Sequence, residues 1–160
     1  MKVLAMPTRE ELVRHAQAVP EIRPEEVLAM LTIMQAASGI KEKILDVLQK
    51  EYQLSEGKLC VLILLHQTEE GLAPSEIARR AGVTKATVSV MLQRMEREHL
   101  VEIRADDGDG RAKRVFLTKL GRTFMDKVLP EHYVRITRLM GKLSRQEQEE
   151  LIRLLKKLSV

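Results

Sequence analysis

The sequence predicts a mainly α fold with a small β-hairpin wing: a winged helix-turn-helix set between long N- and C-terminal helices. Three observations predict it. Two short helical patterns meet at a glycine turn around Gly82, and two strand-like runs follow on either side of the segment DDGDG. Beyond them, on both sides, apolar residues recur at spacings of three and four over much greater lengths. With 160 residues, 44% of them hydrophobic, the chain can bury one sizeable core and is short enough to be one domain, 1–160. Only 2% of residues are aromatic and none is Trp, so that core is aliphatic, which suits helices packing on helices.

The N-terminal arm, 1–23, begins with a capping-box pattern, Thr8-Arg9-Glu10-Glu11, and its short helix stops at Val19-Pro20. Pro24-Glu25-Glu26 then opens a long helix to about Tyr52, with Ile33, Ala37, Ile40, Ile44 and Val47 at helical spacing. Leu54-Ser55 caps a helix that runs to about His66. Residues 59–65 are apolar nearly all round, which places that helix centrally.

Pro74 suits the first position of the next helix, where its missing N–H would have had no partner, and Glu76 favours the positive end of the helix dipole. Ile77, Ala78 and Ala81 give it one inward face. Gly82 ends it, because glycine takes a left-handed backbone conformation without a steric penalty. Thr84 restarts the chain as a helix over 84–98, its hydroxyl able to accept from a first-turn amide. In that second helix Val88, Leu92 and Met95 form a single buried stripe. The opposite face centres on Ala86, Val90, Gln93 and Arg97 and is flanked by Lys85, Thr87, Ser89 and Arg94, with Ser75 in the opening turn of the helix before it. Hydroxyls, a methyl, an amide and cations are the groups that meet base edges and phosphates in a major groove. Taken alone, the same face also reads as merely solvated.

The hairpin that follows argues for the first reading. Residues 102–104 and 111–117 are strand-like, and DDGDG over 106–110 is turn chemistry. Ala112, Arg114 and Phe116 alternate with Lys113, Val115 and Leu117, which gathers Arg111, Lys113 and Arg114 near the tip. A basic wing beside a helix of this kind suits the phosphate backbone or a minor groove.

Thr118 starts a second long helix to about Leu143, with Leu120, Phe124, Val128, Tyr133, Ile136 and Met140 available for packing and a kink expected at Pro130. Ser144-Arg145-Gln146-Glu147 is another capping box, leading into a last helix with Leu151, Ile152, Leu154, Leu155 and Leu158. The terminal helices carry more apolar surface than two short helices and a wing can cover. This excess predicts a homodimer, with 24–54 and 119–160 as dimerisation helices and 55–118 as the reading head. Two-fold symmetry would set two recognition helices roughly 34 Å apart, the repeat of successive major grooves on a pseudo-palindromic duplex.

Charge supports this weakly. The net charge is +4, and residues 73–119 hold 10 Lys/Arg against 7 Asp/Glu, so +3 of it lies in this third of the chain. Three of those acids lie in the wing tip, where they must be paired or held away from DNA. No signal peptide is visible, and the longest apolar run, 59–65, falls far short of the roughly 18 residues that span a bilayer, so no membrane partner and a cytoplasmic location are expected. Cys60 is the only cysteine, which excludes a disulfide framework and a CxxC metal site, and its apolar helix favours a small buried hydrophobe over a redox sensor. His15, His66, His99 and His132 lack ligand spacing and read as surface or helix-end residues. A calcium loop at Asp107-Gly108-Asp109-Gly110 would require a Glu where Thr118 stands. With no phosphate-binding loop and no nucleophile–base pair, neither an enzyme nor a cofactor is expected.

The segment HLVEIRADDGDGRAKRVFLTKLG, following a helix-turn-helix, resembles the MarR (multiple antibiotic resistance regulator) family, whose pattern there is GLVxxxxDxxDxRxxxxxLTxxG. Asp109 and Arg111 fall on its Asp-x-Arg wing motif, and Leu117, Thr118 and Gly121 on its Leu-Thr-x-x-Gly close. The resemblance implies that Asp109 orients Arg111 for entry into a minor groove, and that a small aromatic or anionic effector binds between the dimer helices and the reading head. The chain departs from the family at His99, where Gly is usual, at Ala73, where a capping Thr is usual, and at Val90, where many members carry a polar base-reader. A valine there offers contact with a thymine methyl instead. The expected function is a homodimeric, sequence-specific DNA-binding transcriptional regulator, a repressor relieved by its effector. The alternative is a winged-helix protein–protein module without DNA binding.

Overall fold

A computed structural model describes residues 6–105 and 112–158. Its elements are α1 (Arg9–Ala18), α2 (Pro24–Tyr52), α3 (Glu56–His66), α4 (Pro74–Ala81), α5 (Lys85–Arg97), β1 (Val101–Ala105), β2 (Lys113–Leu117), α6 (Lys119–Met140) and α7 (Arg145–Leu158). The chain forms two compact units, Met1–Val47 and Leu48–Val160, and the boundary falls inside α2. None of the described helices is long and apolar enough to cross a membrane.

In the first unit the predicted capping box is present. Thr8 Oγ1 accepts from the Glu11 amide at 3.2 Å, and Glu11 Oε2 accepts from the Thr8 amide at 2.8 Å. Arg9 of α1 donates to Glu25 of α2 at 2.7 Å, and Leu12 is buried. The expected stripe of α2 is only partly covered in the single chain. Ile33, Ile44 and Val47 are half-buried, whereas Ala37 and Ile40 are exposed together with Met30 and Met34.

The second unit holds most of the core. Leu59, Val61, Leu62 and Leu65 of α3 are buried, and α3 packs against α4, α6 and β2, the central place its all-round apolar surface predicts. Ile77, Val88, Leu92, Met95, Val101, Val115, Met125 and Val128 close around it.

Three helices end in one way. After α2, α4 and α5 the chain enters the left-handed region at Gln53 (φ 54°), Gly82 (φ 65°) and His99 (φ 57°). The next residue then donates its amide back five or six residues: Leu54 to Leu48, Val83 to Ala78 and Leu100 to Met95, at 2.9–3.1 Å. His99 stands where glycine is usual because the position requires a positive φ; the chain adopts it with a side chain that left-handed geometry disfavours.

β1 and β2 pair antiparallel in the register Val101↔Leu117 to Ala105↔Lys113. β1 extends one residue beyond its predicted run at each end, and β2 shares the predicted end at Leu117 but begins at Lys113. Leu72 adds an isolated bridge on the other side of β2, donating to Val115 at 3.0 Å and accepting from it at 2.9 Å.

α6 corrects two expectations. Its buried face is Gly121, Met125, Val128, Leu129 and His132, while Leu120 and Tyr133 are exposed. The helix is apolar on more than one side, so periodicity alone did not identify the side that α3 covers. His132 is therefore no surface histidine. It is 7% exposed, and its Nδ1 has no hydrogen-bond partner among the described residues. α6 continues through Pro130 and ends at Met140, three residues before the predicted end, with Gly141 closing it. α7 begins at its predicted box, Ser144 Oγ accepting from the Glu147 amide at 3.3 Å and Glu147 Oε2 from the Ser144 amide at 2.7 Å.

Candidate nucleic-acid interface

α5 is the recognition candidate, and its orientation follows from three buried residues. Val88, Leu92 and Met95 are at most 2% exposed, which turns Lys85, Ala86, Thr87, Ser89, Val90, Gln93, Arg94 and Arg97 to solvent. Val90, at the centre of that face, is 50% exposed. Thr84 Oγ1 caps the helix by accepting from the Thr87 amide at 3.1 Å and pairs with Thr87 Oγ1 at 2.9 Å. The first turn of α5 holds no acid, so no carboxylate of that turn offsets the positive end of the helix dipole beside Lys85.

Two contacts from α3 fix this helix from behind. Lys58 forms an ion pair with Glu98, the C-cap of α5, and the Lys58 side chain is only 15% exposed. One residue earlier Gly57 leaves room for Met91: a Cβ there would lie 3.1 Å from Met91 Cε. Neither contact has a sequence signal, because each joins residues more than thirty positions apart.

α4 is preceded by Ala73 as its N-cap, whose side chain makes no capping bond. Ser75 is exposed in its first turn, and Glu76 is paired with Arg80 and, at 3.7 Å, with Arg79. The wing leaves Lys113 exposed. Asp109 and Arg111 lie outside the described residues. Arg114 has a different environment from Lys113. Its Nη1 donates to the carbonyl oxygens of Glu70 and Gly71, at 2.8 and 3.1 Å, in the turn before α4. On the same face of the sheet Arg104 pairs with Glu102 and lies over the Phe116 ring, 5.1 Å from its centroid. The opposed cations Arg104 and Arg114 are thus each engaged elsewhere.

The base of the wing is joined to α6 by the residues of the Leu-Thr-x-x-Gly close. Thr118 Oγ1 donates to His99 O at 2.6 Å and accepts from the Gly121 amide at 2.9 Å, so one hydroxyl links the end of α5 to the start of α6. Gly121 lies so near that turn that a Cβ would stand 2.0 Å from Leu100 O.

Further along α6, Arg135 gathers the end of α2. Its Nη2 donates to Glu51 at 2.6 Å, to Tyr52 Oη at 3.0 Å and to Glu131 at 3.4 Å, and Tyr52 Oη donates to Glu131. The bond to Glu131 raises the Tyr52 pKa above its ordinary value. Burial, aided by Arg135, lowers that of His132. Cys60 is half-buried, and burial followed by Glu56 raises its pKa, which disfavours the reactive thiolate.

A helix pair closed by a left-handed glycine, with a hairpin at its side, defines a winged helix-turn-helix protein. Comparison with known proteins narrows the class. The MarR family profile matches residues 52–112. The transcriptional regulator YkoM of Bacillus subtilis is 32% identical over 69% of this chain and 71% of its own length. The transcriptional repressor YetL of the same organism is 28% identical over 97% of this chain and 93% of its own. Among solved structures AbsC, a MarR family transcriptional regulator from Streptomyces coelicolor, superposes with a TM-score of 0.74 at 25% identity, covering 82% of this chain and 90% of that one. The chain belongs to the MarR family of winged helix-turn-helix transcriptional regulators.

Proposed function

We propose that this protein is a homodimeric, sequence-specific DNA-binding regulator, a repressor whose grip a small molecule releases. α5 enters the major groove, and the wing meets the minor groove through Arg111, oriented by Asp109. The observation that carries the reading is the two-sidedness of α5. Its buried stripe holds the helix against the core, and its other side presents hydroxyls, two methyl-bearing residues and cations in one exposed strip. That YetL is described as a repressor supports the direction of the output. Ser75, Thr84, Lys85, Thr87, Ser89, Arg94 and Lys113 supply polar and phosphate contacts, while Ala86 and Val90 offer methyl groups to thymine. Residues 55–118 then form the reading head, and 24–54 with 119–160 the dimerisation helices.

Dimerisation is supported by α7, which buries none of its residues in the single chain while Leu151, Leu154 and Leu158 recur at i, i+3 and i+7. The effector is a small aromatic or anionic compound in this reading, a class that a panel of aromatic carboxylates would probe through loss of operator affinity.

A salt titration on a duplex selected from a random pool tests the function. Binding through several phosphates weakens by orders of magnitude between about 50 and 200 mM salt. No binding to any duplex, or binding indifferent to salt, would leave the protein–protein module instead.

A further inference from the structure

We propose that Arg114 is a positioning residue of the reading head, a fastener that holds the wing against the start of α4, rather than one of its phosphate contacts. The proposal rests on the DNA-binding reading above.

Arg114 commits a guanidinium nitrogen to two consecutive backbone carbonyls, those of Glu70 and Gly71, 44 and 43 residues earlier in the chain. Hydrogen bonds from a cation to a carbonyl are among the stronger ones, and two from one nitrogen fix position as well as distance. The next residue along β2, Val115, exchanges both backbone bonds with Leu72. Beyond it Phe116 covers Gly71 so closely that a Cβ there would lie 2.7 Å from the ring, and Gly71 itself has a φ of +67°. Three successive wing residues therefore hold three successive residues of the turn before α4.

α4 lacks the usual means of fixing its own start. Its N-cap is Ala73, which offers no side-chain acceptor to the first-turn amides. In this chain the start of α4 is held largely by β2, and through the Gly82 turn α4 leads directly into α5. The spacing between the wing and the recognition helix thus depends on the Arg114 bonds, and a cation that sequence alone would assign to a phosphate serves the geometry of the reader.

The test compares full-length Arg114→Met, Arg114→Lys and wild type on one selected duplex across a salt series, with amide exchange measured on the same samples. A positioning role predicts binding about tenfold weaker for Arg114→Met at every salt concentration, with the slope of log affinity against log salt unchanged. It also predicts faster exchange at the Leu72 and Val115 amides, while the Met125 amide in the core of α6 keeps its wild-type rate. Arg114→Lys keeps the charge but ends one bond short of the Nη1 position that reaches the two carbonyls, so its affinity stays below wild type. A slope lower by about one unit in Arg114→Met, or full recovery in Arg114→Lys, would make Arg114 a phosphate contact and overturn the proposal. Uniformly faster exchange would reduce it to general stability, and unchanged exchange at Leu72 and Val115 would remove the fastener. A wild-type chain that binds no duplex defeats the DNA reading and this role with it; exchange at Leu72 would then still report whether Arg114 ties the turn to β2.

Discussion

His99 holds a φ of 57° with a full side chain, a backbone state that costs an L-residue about 1–2 kcal/mol where glycine takes it freely. Its useful groups are in the backbone: the carbonyl that receives the Thr118 hydroxyl, and the left-handed turn that returns the Leu100 amide to Met95. His99→Gly keeps both. After the greater unfolded-state freedom of glycine is deducted, it should raise the unfolding free energy by about 0.5–1 kcal/mol, read as a higher urea midpoint at constant slope. The proposed role of Arg111 gives a second prediction at this scale. Arg111→Ala should weaken binding to all duplexes alike and lower the salt slope by about one unit. His132 gives a third. Burial holds its folded pKa below the ordinary value of about 6.5, so the unfolded chain takes up a proton that the folded chain refuses. Stability from this group is intact above about pH 6.5 and is lost as pH falls through the window down to the depressed value. Urea midpoints near pH 7.5 and 5.5 should therefore differ less in His132→Gln than in wild type.

At the scale of elements, the close approach of α6 to the end of α5 predicts that Gly121→Ala is poorly tolerated. The new methyl meets the Leu100 carbonyl, and the clash can be relieved only by moving α6 or the wing base, at a cost of at least about 2 kcal/mol. A loss of that size in chemical denaturation, with normal helicity retained at zero denaturant, is the expected result. The elements differ in how readable they were. Helix starts were legible because Thr8, Ser55, Thr84, Thr118 and Ser144 are local signals whose acceptor and donor lie three residues apart. The buried stripe of α5 was legible because its other side is polar. In α6 the apolar residues surround the helix, so Tyr133 and Leu120 read as core while Met125 and His132 took that place. Arg114, Lys58 and Arg135 were illegible for another reason: apart from Glu131, their partners named above lie 40 to 84 positions away and include backbone carbonyls, which no pattern of side chains announces.

For the molecule as a whole, the proposed dimer predicts a sedimentation mass near twice 18.3 kDa at micromolar concentration; a monomer mass would refute it. α7 gives that prediction a further side. A helix of 14 residues with no buried side chain is close to the length at which an isolated helix is only marginal in water. Its order must come from whatever covers Leu151, Leu154 and Leu158, and a covering supplied by a second chain is subject to mass action. Dilution alone should then loosen the carboxy-terminal helix while the helix-turn-helix, which carries its own core, stays folded. The last fourteen helical residues would act as a gauge of the protein's own concentration.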